Sequence, residues 1–148
     1  ELVSKTWPAD LCSQPRYRLP PTCRLPLAYI VADARKAAQQ AAARLRSLED
    51  GVCVPKSTLG PGFIVKLGYS WNSEDVRAAE TEEDLARELS ALALGRGRLT
   101  HCEIVVQRRV IGILCEPAVF VAEGRVVETR FVTEVLGHSS FKTFSEVE

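Results

Sequence analysis

The sequence predicts an α+β fold, with a mostly antiparallel sheet, two amphipathic helices on one face and an irregular Pro-rich N-terminal arm. Three observations predict it. Apolar residues recur at helical spacing in two windows, 34–48 and 82–94. Short runs rich in Val, Ile and Phe fill the chain after residue 102. Glu123-Gly124 is a tight-turn pair between two such runs, and a turn that short joins only antiparallel strands. With 148 residues and 46% hydrophobic content, one sizeable core suffices, so residues 1–26 read as the arm and 27–148 as a single α+β domain.

Five prolines (Pro8, Pro15, Pro20, Pro21 and Pro26) interrupt the arm and argue against regular helix or ladder there. The arm is expected to lie over the core as a strap anchored by Trp7, Tyr17 and Leu19, or to bind a larger protein assembly. Leu27-Ala-Tyr-Ile-Val31 reads as a short buried strand, and Asp33 stands where a helix N-cap belongs. Ala34, Ala37, Ala38, Ala41, Ala42, Leu45 and Leu48 then form one helical stripe, opposite Arg35, Lys36, Gln39, Gln40, Arg44 and Arg46. Small side chains on that stripe imply close approach to a sheet or a second helix. Gly51 closes the helix.

Val52-Cys-Val54 and Phe63-Ile-Val-Lys-Leu67 have strand length and are separated by Pro55, Gly60, Pro61 and Gly62. A polar loop, Gly68-Tyr-Ser-Trp-Asn-Ser73, precedes a short strand over Val76–Ala79. Thr81-Glu-Glu-Asp84 has the form of an N-terminal cap, and Leu85, Leu89 and Leu92 share one face of a helix over 82–94. Glu103–Gln107, Val110–Ala122 and Arg125–Val135 are strands, and Pro117 demands an edge or a bulge.

Lys plus Arg and Asp plus Glu number 19 each, so no global field favours nucleic acid or an anionic membrane. The distribution is uneven, because residues 1–66 hold ten of the basic and only five of the acidic residues. Arg108 and Arg109 are neighbours on a strand and face opposite sides, so they make no basic stripe. Nucleic acid is therefore not expected as a partner. No apolar stretch is long enough to span a membrane, and no membrane partner is expected.

Cys12, Cys23, Cys53, Cys102 and Cys115 are odd in number and contain no Cys-x-x-Cys pair. That favours reduced thiols packed as small hydrophobes and a cytoplasmic location. His101, Cys102, Cys115 and His138 match no zinc spacing, so no metal site is expected of them. Cys102 follows His101 on a strand and points to the other face, which argues against a Cys–His nucleophile. Glu116 and Glu128 read as solvated strand carboxylates rather than an acid and base pair. The chain has no Met, which fits either a processed or trimmed end or a piece of a longer protein.

The order from Phe63 to Arg130 is a lysine on a strand, a small-residue loop, a second strand, an amphipathic helix, and then Glu103-Ile-Val-Val-Gln107 leading into a hairpin. In that order the chain resembles an ATP-grasp nucleotide-binding region over about half its length. The resemblance implies ATP, with Mg²⁺, as cofactor and a carboxylate–amine ligase activity in which an acyl phosphate is attacked by an amine. It implies that Lys66 contacts a phosphate, that Ser70 and Ser73 belong to the loop over the phosphates, and that Glu103 and Val105 lie on the adenine–ribose side. One departure is plain: the family's Glu-x-Asn metal pattern occurs nowhere in the chain. From the residues alone, Lys66 beside backbone N–H groups and serine hydroxyls suits phosphate, while a lysine snorkelling from an edge strand suits the same sequence. The rival to the ligase reading is a non-enzymatic interaction or assembly subunit, binding through the arm or an exposed sheet edge.

Overall fold

The structure, a computed structural model, describes residues 5–14, 16–51, 54–68, 75–95, 102–112, 116–135 and 138–142. In chain order the elements are α1 (Trp7–Leu11), β1 (Thr22–Pro26), α2 (Leu27–Ala32), α3 (Ala34–Leu48), β2 (Leu59–Leu67), β3 (Val76–Ala79), α4 (Glu82–Gly95), β4 (Glu103–Val110), β5 (Glu116–Ala122), β6 (Arg125–Val135) and β7 (His138–Lys142). The chain falls into two compact units, Glu1–Ile111 and Gly112–Glu148.

The first unit is α+β. Its sheet has the order β1-β4-β2-β3 with every pairing antiparallel, which places β2 and β4 in the interior. One face carries Cys23, Leu25, Phe63, Val65, Leu67, Ile104 and Val106, all buried in one core with residues of α2, α3 and α4. The alanine stripe behaves as its spacing predicts: Ala37, Ala38, Ala41, Ala42 and Leu45 are buried, and α3 packs against α4 and β1. Asp33 caps α3 by accepting from the Lys36 backbone N–H at 2.9 Å. At α4 a reciprocal box forms, in which the Asp84 N–H donates to Thr81 Oγ1 at 3.0 Å and the Thr81 N–H donates to Asp84 Oδ2 at 3.2 Å. Beyond the C-terminus of α3, Glu49 Oε1 lies 2.8 Å from Arg108 Nε, an ion pair off hydrogen-bond angle that ties this end of the helix layer to β4.

Two sequence expectations fail here. Leu27–Val31 is helix rather than strand: Leu27 and Ile30 are buried while Val31 is 67% exposed, an i, i+3 pattern that five apolar residues in a row conceal. The arm also contains regular structure. Pro8 sits in the first turn of α1, where a missing N–H costs nothing, and β1 is an edge strand, where Pro26 is tolerated. Trp7 is not a buried anchor, since half of it is exposed. Val52 and Cys53 lie outside the described residues.

The second unit is a three-stranded antiparallel sheet of order β5-β6-β7. Glu123 and Gly124 both take positive φ, 51° and 74°, the signature of a type I′ hairpin turn whose twist matches the strands it joins. Pro117 falls on an edge strand, and the β5–β6 register shifts between Phe120 and Val121.

Cys23 shows what burial does to a thiol. Enclosure in the core pushes its pKa from the ordinary 9.0 up to about 12, with Arg44 pulling weakly down and Cys12 pushing weakly up. The folded state therefore retains a proton that the unfolded chain releases near pH 9. This contribution to stability is complete below pH 9 and is lost as pH rises towards 12. Urea unfolding between pH 8 and pH 11 is expected to show a shallower alkaline decline in Cys23→Ala than in the parent; an unchanged slope would place the titration elsewhere.

Candidate functional site

Along β2 the pleat alternates, so that Phe63, Val65 and Leu67 face the helices while Ile64 and Lys66 take the opposite, outer face. The same alternation on β4 puts Glu103, Val105 and Gln107 on that outer face, and on β1 it puts Thr22 and Arg24 there. Lys66 pairs directly with Val105, which pairs in turn with Arg24. Three of the five residues expected at a nucleotide site, Lys66, Glu103 and Val105, thus share one end of one face. Ser70 and Ser73 lie outside the described residues. Their flanks do not: the Leu67 N–H donates to the Asp75 carbonyl at 3.2 Å, at the Lys66 end of β2.

Lys66 is half-buried on an interior strand, which excludes the edge-strand alternative. Its Nζ donates to Gln107 Oε1 at 3.0 Å, Gln107 Nε2 donates to Thr22 Oγ1 at 2.9 Å, and the Thr22 hydroxyl donates to the Pro20 carbonyl at 2.8 Å. Each donor meets an acceptor, and the chain reads in one direction only, because an ammonium and an amide NH₂ cannot face each other favourably. Gln107 is neutral, and this bond orients the ammonium. Neither Gln107 nor Thr22 was legible as a site residue, since Gln107 comes 41 residues after Lys66 and 85 after Thr22.

Gly68 follows Lys66 by two positions, and its N–H donates to the Glu103 carbonyl at 2.8 Å. A Cβ there would stand 2.7 Å from that oxygen and 3.0 Å from Thr6 Cγ2, so only glycine fits without a shift. The Glu103 carboxylate is 3.7 Å from Arg24, which also pairs with Asp10 at 3.0 Å. Val105 is 1% exposed. It is enclosed by the protein, which differs from an open adenine-side wall.

A shallow depression of about 270 Å³ lies elsewhere, between α3 and α4, lined by Arg35, Gln39, Glu82 and Glu83. Glu82 is paired there with Arg46 at 2.6 Å, and the lining is ordinary helix surface. Among the described residues no group of three or more His, Cys, Asp or Glu side chains converges as a metal site would require. His101, Cys53 and Cys115 lie outside the described residues. No described helix is long and apolar enough to cross a membrane. Comparison with protein-family models, with curated proteins and with solved structures finds no match to this chain.

Proposed function

We propose that the Lys66 end of the first sheet binds ATP through its phosphates, as an atypical or partial ATP-grasp-like domain. The observation that carries this reading is the placement of the Lys66 ammonium, held by Gln107 at the end of β2 where Leu67 meets Asp75. A positioned ammonium suits phosphate oxygens, and the hydroxyls of Ser70 and Ser73 follow it closely in sequence. In this reading Lys66 meets a phosphate, Ser70 and Ser73 close over it, and Glu103 with Val105 form the adenine–ribose side. The order of elements from β2 through β4 supports it, being strand, strand, helix, strand.

Ligation of a carboxylate to an amine needs Mg²⁺, which neutralises phosphate charge. No carboxylate cluster suited to it occurs among the described residues. A cytoplasmic setting accords with Cys12, Cys23 and Cys102, which are free. The rival reading, an assembly subunit, is favoured by the half-exposed Trp7 on the N-terminal segment.

Calorimetric titration of the full chain with ATP tests the proposal. Saturable binding at or below millimolar ATP is the expected result, and no heat at millimolar ATP with Mg²⁺ would overturn it. Binding that Mg²⁺ does not alter would retain the nucleotide and remove the ligase.

A further inference from the structure

The polar side of α3 carries positive charge that the fold leaves unused. Arg35, Lys36, Gln39, Gln40, Arg44 and Arg46 are all exposed, and no acidic residue occurs between Ala34 and Leu48. Arg46 pairs with Glu82, but among the described residues Arg35, Lys36 and Arg44 are in no ion pair. By contrast, Arg24, Lys56, Arg87, Arg108 and Arg109 each meet a carboxylate. Arg35 and Lys36 also stand in the first turn, at the positive end of the helix dipole, where acidic side chains stabilise a helix and cations oppose it. Exposed cations held against the local preference and without partners point to something outside the fold.

Helix periodicity sets this face out. Lys36, Gln40, Ala43 and Ser47 run along its middle, Arg44 stands on one flank, and Arg35, Gln39 and Arg46 stand on the flank towards α4. Ala43 is short, and the Ser47 hydroxyl donates back to the Arg44 carbonyl at 2.8 Å, so the middle is low between cationic flanks. We infer that this face docks a short acidic segment of a partner protein, lying along the low middle with its carboxylates against Arg35, Lys36 and Arg44.

Length and borders favour that occupant. The helix is about 22 Å long, and acidic residues surround the face: Glu49 and Asp50 beyond one end, Glu82 and Glu83 along one side. A nucleic-acid duplex adds a charge about every 1.7 Å and would run past the face onto those carboxylates, and no aromatic side chain of α3 offers a single-stranded base a stacking surface. An anionic membrane calls for large apolar side chains that insert, whereas the one apolar residue fully exposed along α3 is Ala43. Because α3 packs on the side of the sheet opposite Lys66, this docking is separate from the nucleotide reading.

Fluorescence anisotropy of a labelled octaglutamate peptide against the full chain, at about 20 mM and about 150 mM salt, tests the inference. Saturable binding that weakens with salt is expected, and the combined variant Arg35→Gln, Lys36→Gln and Arg44→Gln should weaken it about tenfold. That variant should melt at or above the parent's temperature, because glutamine keeps helix propensity and two cations leave the positive end of the dipole. A lower melting temperature would return the cations to the fold and overturn the inference. Arg16→Gln, Arg18→Gln and Arg125→Gln together remove three exposed cations outside α3, lower the net charge equally, and should leave binding within about twofold. Equal weakening by the two combined variants would overturn the face, as would the lack of saturation at about 1 mM peptide in low salt. Tighter binding of a short DNA duplex or of phosphatidylserine vesicles than of the peptide, lost in the α3 variant, would overturn the acidic segment as the occupant.

Discussion

Gly62→Ala is expected to destabilise the first unit by about 3 kcal/mol, read as a fall in the urea midpoint with an unchanged slope. Gly62 has φ +84°, a left-handed conformation that costs an L-residue on the order of 1 kcal/mol even in open space. Space here is not open, for a Cβ would run into the Ala79 carbonyl oxygen and the Glu80 backbone. The nearest atoms all belong to backbone, so no flexible side chain is there to move aside. The Gly62 carbonyl also accepts from Arg108 at 3.2 Å, and Arg108 is the partner of Glu49, so a shift at Gly62 strains the ion pair that ties the helix layer to β4. Gly112→Ala is the control. Its φ is +72° with nothing within 4 Å of the added Cβ, so it should show the conformational cost alone, about 1 kcal/mol. Equal losses in the two variants would show that the approach of β3 to Gly62 is not tight.

Lys66→Ala is expected to weaken ATP binding at least tenfold, because a charge-assisted contact to phosphate contributes about 1.5–3 kcal/mol. It should also cost about 1 kcal/mol of stability, since the half-buried Gln107 amide oxygen loses its donor. Gln107→Leu separates the two effects: it breaks the polar chain to Thr22 while leaving the ammonium, so stability falls and ATP affinity falls less than in Lys66→Ala. ATP affinity that survives Lys66→Ala would place the phosphates away from this face.

Much of the first unit was legible because its signals are local. Asp33, the alanine stripe of α3, the Thr81 and Asp84 cap and the leucines of α4 all act within one or two turns, where periodicity and capping chemistry decide. Prolines misled where their position mattered more than their presence. Pro8 opens a helix and Pro26 ends an edge strand, both positions that tolerate a missing N–H. At the candidate site, Lys66 was legible as a strand lysine beside a polar loop. Its environment was not, because Gln107 and Thr22 lie on strands far away in the sequence, and strand order is set by tertiary packing rather than by any run of residues.

The pairing of β1 with β4 also dictates an order of events during synthesis. Residues 22–26 leave the ribosome early, yet their strand partners among the described residues are 103–107. At about 5–20 residues per second, translation makes β1 wait on the order of ten seconds for its neighbour. Through that interval Cys23 and Leu25 stand on an unpaired strand, a template for wrong association between nascent chains. Pro20 and Pro21 before it and Pro26 at its end limit the ladder such a chain could offer to five residues. The prolines that disguise β1 in the sequence thus guard it until β4 arrives.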